Sequence, residues 1–246
     1  MNKLLCRQLS LDYVCSEAEV TDGKNHFTHH RILEGRRRFQ EQGNCILKIA
    51  AIDGKLLFTG ADPVLFWCEE QYRDADAAWF FEAKNLHRLN ERLGDEGSRI
   101  EMVHPFFLAE EQTFAKQTQF ETRWFEGDEI EAFRGDKRFD EAFAFDRNAP
   151  DVLGVAAIRG SSILGMAGAS CDSPIMWQIG INVAPEEQGH GIGTNLVTLL
   201  KNEILSRGIL PFYGTSMSHL ASQRVALGAG FVPAWVELIT SRIERA

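Results

Sequence analysis

The segment from Ile175 to Gly208 limits the possible folds of this chain more than any other stretch. It opens with an apolar, β-branched run that predicts a strand ending at Val183. After Pro185 the chain is rich in glycine, and apolar residues then recur at helical spacing up to Gly208, namely Leu196, Val197, Leu200 and Ile204. A strand that leads through glycines into a helix N-terminus is an anion site, because free backbone N–H groups and the helix dipole both favour negative charge.

Several kinds of phosphate-binding loop begin with such a turn, and the residues separate them. A Walker loop needs Gly-Lys-Ser/Thr, but no lysine directly follows these glycines. A dinucleotide-binding fingerprint would need its third glycine where Thr194 stands, and more strand–helix units than the remaining chain provides. The pyrophosphate loop of acyl-CoA-dependent transferases fits the pattern, and a glycine-rich turn without a ligand is the other alternative.

The hexapeptide Gln188-Gly189-His190-Gly191-Ile192-Gly193 resembles motif A of the GNAT superfamily of N-acetyltransferases, Gln/Arg-x-x-Gly-x-Gly/Ala. The tail resembles motif B of the same superfamily, in which a helix ends in Gly-Phe, here Gly230-Phe231. Ser222 matches the small polar residue of that helix. Two positions depart from the family pattern, because His219 stands where the family has Asn, and Ala226 stands where it frequently has a catalytic Tyr.

The order of the predicted elements after Lys116 is also similar to the GNAT fold: a strand, two helices, three strands, and then a helix, a strand, a helix and a strand. The resemblance therefore implies an α/β (α+β) fold, with a mixed, mostly antiparallel central sheet flanked by helices. We place the domain boundary at Lys116, so that residues 116–246 form a GNAT acetyltransferase domain.

Residues 1–115 have no counterpart in a minimal GNAT domain and are expected to form an α/β region of their own. Asp53-Gly54 between two apolar runs predicts a β-hairpin, and Asp76 is expected to cap a helix with an apolar stripe. We interpret the basic stretch from Asn25 to Gln42 as a solvated helix face rather than a phosphate patch. The region is expected to be a cap that packs on the transferase domain and helps to form the acceptor pocket, or a degenerate second copy of the fold.

The overall charge of the chain argues against some classes of binding partner. The 246 residues carry a net charge of −9, with a pI near 5.3, which argues against a general nucleic-acid surface or an anionic-membrane surface. No apolar run approaches the roughly 20 residues of a membrane span. The five cysteines are scattered without metal-ligand spacing, so we expect reduced thiols in a cytoplasmic protein and no metal site. The sequence makes no prediction of the oligomeric state.

Acetyl-CoA is the cosubstrate that the resemblance implies. Its pantetheine arm would lie along the backbone of Ile181, Asn182 and Val183. Its pyrophosphate would lie in the loop formed by Gln188, Gly189, His190, Gly191, Ile192, Gly193 and Thr194. His219 and Ser222 would lie near the pantetheine and the thiol.

The reaction that the resemblance implies is direct attack on the thioester by an amine of a small molecule or a peptide. Gln178 stands at the strand position where many relatives carry Glu, so the candidate bases are carboxylates on strand ends, namely Glu126, Asp172 and Glu237. His219 is the nearest substitute for the missing acid, unless it only binds the cosubstrate. The alternatives are a catalytically weak CoA-binding sensor or scaffold, and an acyltransferase that uses another acyl-CoA or a non-amine acceptor.

Overall fold

A computed structural model describes residues 1–37, 45–115 and 120–243. It divides the chain into two compact units. Unit 1 comprises Met1–Phe106 together with the chain from Ala234 onward, and unit 2 comprises Phe107–Pro233. The domain boundary predicted at Lys116 assigns the last strand of the chain to the transferase domain. In the structure most of that strand lies in unit 1, because its residues from Val236 to Ile239 pair with the strand that contains Lys48.

Unit 1 combines helices with a mixed sheet. Its helices are α1 (Lys3–Asp12), α2 (Glu17–Thr21), α3 (Val64–Tyr72) and α4 (Ala83–Asp95). Its strands are β1 (His26–His29), β2 (Leu47–Ile52), β3 (Lys55–Gly60), β4 (Ser98–Leu108) and β10 (Val232–Arg242), in the order β1-β3-β2-β10-β4. The hairpin predicted between β2 and β3 is confirmed, since Asp53 and Gly54 both have positive φ, 46° and 79°, as a type I′ turn requires.

Two other expectations for unit 1 are wrong. The basic stretch is not a helix where the structure describes it, because His26–His29 forms β1, parallel to β3, and the ring of Phe27 stacks on Phe58 at 4.5 Å. Residues 38–42 of that stretch lie outside the described residues. Asp76 caps only a short 3₁₀ turn, Ala77–Trp79, and α4 starts at Ala83, because Phe80 turns into the core between them and is 1% exposed.

Unit 2 contains the strand–loop–helix segment from Ile175 to Gly208. Its strands are β5 (Glu121–Glu126), β6 (Asp151–Arg159), β7 (Ser162–Cys171), β8 (Met176–Val183) and β9 (Leu210–Gly214), in the order β9-β8-β7-β6-β5. Its helices are α5 (Asp128–Glu131), α6 (Ile192–Ser206) and α7 (Leu220–Gly228). Only β8 and β9 are parallel among these pairs, so the predicted mixed, mostly antiparallel sheet flanked by helices is confirmed.

The core of unit 2 explains why α6 follows the glycine loop. The apolar stripe predicted for this helix is completely buried against the sheet and forms one cluster with α7 and the residues after it, namely Leu196, Val197, Leu200, Ile204, Ala226 and Phe231. Burial of each large aliphatic side chain contributes about 1.5–3 kcal/mol, so the packing of this stripe fixes the N-terminus of α6 at the end of β8.

A row of three glycines crosses the opposite face of the same sheet. Gly154 on β6 pairs with Gly168 on β7, and Gly168 pairs with Gly180 on β8. The chain from residue 141 to residue 143 lies over this row, and a Cβ atom on Gly180 would lie 1.8 Å from the backbone oxygen of Glu141. The second of the two helices predicted after the first strand of this domain is reduced to a 3₁₀ turn, Lys137–Phe139, because the chain beyond it crosses the glycine row.

Two further observations bear on the general class of the protein. No helix in the described part of the chain is long and apolar enough to cross a membrane. All five cysteines are free thiols.

Candidate functional site

The central feature of unit 2 is a fork between β8 and β9. The two strands pair only at Met176, Trp177 and Gln178, whereas β8 pairs with β7 from Trp177 to Val183. Beyond Gln178, β8 and β9 therefore diverge, and the edge of β8 that faces β9 is open. Hydrogen-bonding groups on an open edge can bind an extended ligand as an added strand would.

The alternation of the β-ladder decides which backbone groups face the fork. The N–H of Ala184 donates to Leu164 of β7, so the antiparallel register turns the backbone groups of Asn182 towards β7 as well. Ile181 and Val183 then face the open edge. The carbonyl of Val183 accepts a hydrogen bond from the side chain of Gln188 at 3.3 Å. Of the three residues expected to bind the pantetheine through backbone groups, Ile181 and Val183 face the open edge and Asn182 faces β7.

The glycine loop provides an open N-terminus on α6. Gly189 and Gly191 have φ of +80° and +81°, and no described atom lies within 4 Å of where a Cβ would stand on either residue. Gly191 is the N-cap of α6, and no side chain of the described residues caps the helix. The first N–H groups of an uncapped helix have no intrahelical partner, so those of Ile192, Gly193 and Thr194 are available to an anion.

A pocket of about 980 Å³ in unit 2 adjoins this loop. The loop contributes Gly189, His190, Gly191 and Ile192 to its wall, and α6 contributes polar side chains, namely Thr194, Asn195 and Thr198. Arg159, from the tip of the β6–β7 hairpin, also lines the pocket. Its guanidinium bonds the carboxylate of Glu187 at 2.7 Å.

A buried tyrosine stands at the base of the fork. Tyr213 follows Phe212, which is the last residue of β9 paired with β8, and is only 2% exposed. Its hydroxyl lies 2.8 Å from Oγ of Ser222 in the first turns of α7. Burial raises the pKa of Tyr213, the hydrogen bond to Ser222 opposes this effect, and the negative charge of Glu141 adds to it. The phenol is therefore protonated at neutral pH and can act as a donor.

The segment that crosses the glycine row brings an exposed carboxylate to the same strand. The N–H groups of Glu141 and Ala142 donate to the side chain of Asn182 at 3.0 and 2.7 Å, which ties the segment to β8. The carboxylate of Glu141 is exposed and influences the pKa of Tyr213. On the same strand, Oε1 of Gln178 is buried and has no hydrogen-bond partner among the described residues.

The carboxylates proposed as bases from the sequence are engaged elsewhere. Glu126 pairs with Arg207. Asp172 is completely buried and accepts hydrogen bonds from Ser170 Oγ at 2.8 Å and from the N–H of Gln178 at 3.3 Å. Because each of these carboxylates is committed to neighbouring donors, we assign neither to the base.

The third proposed base, Glu237, lies in unit 1. It is completely buried, accepts a hydrogen bond from Tyr13 at 2.6 Å and pairs with Arg37 at 2.8 Å. A completely buried carboxylate that is bound to a phenol and a guanidinium has no free path to a substrate, so we do not assign this residue to the base either.

His219 is at the start of α7, as expected, but its side chain is exposed and makes no capping hydrogen bond within the described chain. Ser222 is half-buried and bonds Tyr213. The sequence analysis missed Tyr213, Glu141 and Arg159. The only sequence signal for Tyr213 was its position in the strand after α6, and neither of the other two lies in a recognisable motif.

Residues 115–231 match the family model described as the acetyltransferase (GNAT) family. No curated protein matches the sequence.

Solved structures with a similar fold include several GNAT proteins. A GNAT-family acetyltransferase from Colwellia psychrerythraea is 14% identical, with a TM-score of 0.48 over 98% of each chain. A GNAT-family protein from Novosphingobium aromaticivorans is 15% identical, with a TM-score of 0.45 over 61% of this chain and 69% of its own. The protein yncA from Salmonella typhimurium, solved with its cofactor acetyl-CoA, is 12% identical, with a TM-score of 0.36 over 51% of this chain and 95% of its own.

Proposed function

The chain carries a domain of the GNAT acetyltransferase family at residues 115–231, and from this premise we propose that it transfers an acetyl group from acetyl-CoA to an amine of a small molecule or a peptide. The observation that carries the proposal is the fork between β8 and β9, with the open N-terminus of α6 at the far end of β8. The fork offers an extended arm a backbone edge, and the helix offers a diphosphate its N–H groups.

The glycine loop fits a pyrophosphate by shape as well as by charge. Apart from the glycines and their chain neighbours, no atom of the described residues lies within 4 Å of where a Cβ would stand on Gly189 or Gly191, so a ligand can approach the backbone directly. Each hydrogen bond from a backbone N–H to a charged phosphate oxygen stabilises the complex by about 1.5–3 kcal/mol. When bound, acetyl-CoA supplies the activated thioester, and the chain's own groups must orient it and manage two protons.

The first proton leaves the attacking amine. A primary amine with a pKa near 10.4 costs about 4–5 kcal/mol to deprotonate at pH 7, at 1.36 kcal/mol per unit. We assign this role to Glu141, because its exposed carboxylate is held beside β8 by the hydrogen bonds of its segment to Asn182. An open edge N–H of β8, such as that of Ile181, can donate to the oxyanion that develops on the thioester carbonyl.

The second proton goes to the departing thiolate of CoA. Tyr213 is buried, protonated and at the base of the fork, so its hydroxyl can donate to a sulfur placed there. Ser222 lies within hydrogen-bond distance of the phenol and orients it. The phenol would take over the role of the family's tyrosine, whose position is occupied here by Ala226. A thiol with a pKa near 8.5 is a good leaving group, so this donor accelerates the reaction without being indispensable.

The test is turnover of acetyl-CoA by the full chain with a panel of amines that includes polyamines, amino sugars and lysine peptides, read as free thiol. The expected result is thiol release that depends on one class of amine and is lost in Gly191→Val. If calorimetry shows that acetyl-CoA binds but no amine supports turnover, the protein is a CoA-binding sensor and not an acetyltransferase. Turnover with a longer acyl donor alone would change the donor and keep the site.

A further inference from the structure

The crossing segment, residues 140–145, is held at both ends by side chains of the sheet on which it lies. At its near end, Oδ1 of Asn182 on β8 accepts two backbone N–H groups, at 3.0 and 2.7 Å. At its far end, Oδ2 of Asp151, the first residue of β6, accepts the N–H of Phe145 at 2.8 Å. The segment is therefore tied to two strands that have β7 between them.

The stretch between these two anchors rests directly on the glycine row. Ala142 and Phe143 are only 4% and 2% exposed. A Cβ atom on Gly168 would overlap the backbone oxygen of Ala142, and one on Gly154 would lie 2.5 Å from Cζ of Phe143. These contacts fix how close the segment lies to the sheet. Because glycine has no side chain, however, the row itself does not stop the segment from sliding along the strands. The hydrogen bonds at the two ends do.

We propose that Asp151 is a positioning residue for the acetyl transfer. Together with Asn182 it holds the crossing segment where the carboxylate of Glu141 can receive the proton of the amine. This inference rests on the proposed function, in which Glu141 is the base, and Asp151 acts through Glu141 alone. A single anchor on β8 would let the segment swing about it. Two anchors that are two strand spacings apart, about 10 Å at ~4.8 Å each, remove that freedom.

The backbone of Phe145 supports this role. Its φ is +52°, in the left-handed region that a bulky residue rarely adopts. Such a conformation persists only where the surroundings impose it, and residues of this kind cluster at functional sites. Here the guanidinium of Arg134 lies 4.3 Å from the centroid of the ring, the ring packs on the aromatic cluster beneath the segment, and Asp151 binds the N–H. The far end is thus fixed through both its side chain and its backbone.

The surroundings of Asp151 make its hydrogen bond to the segment a strong one. Burial raises the pKa of Asp151 and the charge of Glu131 adds to this, whereas the N–H groups of Phe145 and Ala144 and the charge of Arg134 oppose it. Arg134 is itself bound to Glu131 by two hydrogen bonds, of 2.7 and 2.8 Å. A hydrogen bond is stronger where water is partly excluded, so this carboxyl group holds the end of the segment better than an exposed one would.

The experiment measures kcat of the full chain with an amine that it accepts, and the affinity for acetyl-CoA by calorimetry. Asp151→Ala removes the acceptor and should lower kcat about 10- to 30-fold, because a small misplacement of a reacting group has a large effect. Asp151→Asn keeps an oxygen that can accept the N–H, so its kcat should stay within about threefold of wild type. The affinity for acetyl-CoA should change less than about threefold in both variants, since the glycine loop is left intact.

The matched control is Asp146→Ala. Oδ1 of Asp146 accepts the N–H of Asn148, also at 2.8 Å, but this bond lies in the loop after the crossing segment and anchors no part of it. The kcat of this variant should stay within about twofold of wild type.

A double-mutant cycle with Glu141→Gln separates positioning of the base from general support of the fold. If Asp151 acts through Glu141, the two substitutions are not additive, and Asp151→Ala should lower the kcat of Glu141→Gln by less than about threefold. If Asp151→Ala does not fold, Asp151→Glu tests the same claim, because it displaces the carboxylate by one methylene group. It should lower kcat at least about fivefold in the wild-type background and less than about twofold in Glu141→Gln.

The possible outcomes distinguish this inference from the proposed function. Wild-type kcat in Asp151→Ala, equal losses in Asp151→Ala and Asp151→Asn, or an undiminished loss in the Glu141→Gln background would overturn the inference. If Glu141→Gln loses activity and Asp151→Ala does not, only the positioning role fails. If no amine supports thiol release by the wild-type protein, or if Glu141→Gln keeps its kcat, the proposed reaction or its base fails, and the role of Asp151 fails with it.

Discussion

Gly180→Ala is the substitution whose effect can be worked most directly from the structure. A Cβ atom on this residue would lie 1.8 Å from the backbone oxygen of Glu141 and 2.8 Å from its carbonyl carbon. Contacts of a Cβ below 3.0 Å essentially never occur, so strand and crossing segment must separate by at least about 1.2 Å. The atoms that must move are backbone atoms, so rotation of a side chain cannot relieve the clash.

The expected result has two parts. Overpacking at a backbone contact should lower the free energy of unfolding by about 1–3 kcal/mol. A shift of about 1 Å in the segment that holds the proposed base should lower kcat by about 30- to 100-fold, because catalysis falls steeply with misplacement of a reacting group. The affinity for acetyl-CoA should change less than threefold, since the segment is remote from the glycine loop in the proposed binding mode.

The assays are urea unfolding, thiol release at saturating amine, and calorimetry with acetyl-CoA. Gly94→Ala is the matched control, because this glycine lies in α4 of unit 1 and no described atom stands within 4 Å of where its Cβ would be. Ala should stabilise that helix by about 0.5–1 kcal/mol and leave kcat unchanged. Wild-type kcat and stability in Gly180→Ala would refute the reasoning, since the crossing segment would then not be held as described.

Three further predictions follow from the same site and its support. Glu141→Gln should lower kcat by about 10²-fold or more at pH 7, while the exposed control Glu129→Gln should leave kcat unchanged. Tyr213→Phe should lower kcat about 10- to 100-fold and leave the affinity for acetyl-CoA unchanged, whereas His219→Asn should keep kcat within about threefold of wild type. If His219→Asn instead loses more activity than Tyr213→Phe, the general acid is the histidine. Lys201 is completely buried and donates from Nζ to Thr113 Oγ1 at 2.7 Å and to the carbonyl of Ala229 at 2.8 Å, so Lys201→Met should lower the free energy of unfolding by about 1–3 kcal/mol. Burial lowers the pKa of Lys201 in the folded protein. Between this lowered pKa and about 10.4 the unfolded chain binds more protons than the folded protein, so the free energy of unfolding of the wild-type protein should rise with pH. A rise of the same size in Lys201→Met would contradict this prediction.

The sequence was informative where the signal is local. The β-branched run, the glycines and the apolar stripe of α6 are contiguous, so strand, loop and helix could be predicted together, and the loop at Gly191 is open as an anion site requires. The hairpin at Asp53-Gly54 was predictable for the same reason, since both residues favour the positive φ that the turn needs.

The fork and its chemistry depend on pairing between distant residues. Gly154, Gly168 and Gly180 form a row only after β6, β7 and β8 have paired, so no spacing in the sequence reveals it. Likewise, the hydrogen bond between Tyr213 of β9 and Ser222 of α7 forms only when these two elements have packed together. The divergence of β9 from β8 is also a property of the folded sheet.

Tertiary contacts also explain the predictions that were wrong. The stretch from Asn25 became a strand because β3 offers Phe58 for stacking. The pairing of the last strand is also a tertiary effect, because its partner β2 lies nearly two hundred residues earlier in the chain and most of the strand therefore lies in unit 1.

The most direct test of the central claim is a calorimetric titration of acetyl-CoA into Gly191→Val, compared with the wild-type protein and with Gly208→Val. Gly208 has a φ of +76° and no described atom within 4 Å of its Cβ position, so the control repeats the backbone strain at the other end of α6 without blocking the loop. The loss of two hydrogen bonds to phosphate, about 3 kcal/mol, predicts at least a 100-fold weaker affinity in Gly191→Val. The affinity of Gly208→Val should stay within about threefold of wild type. Equal acetyl-CoA affinity in Gly191→Val and the wild-type protein would contradict the account.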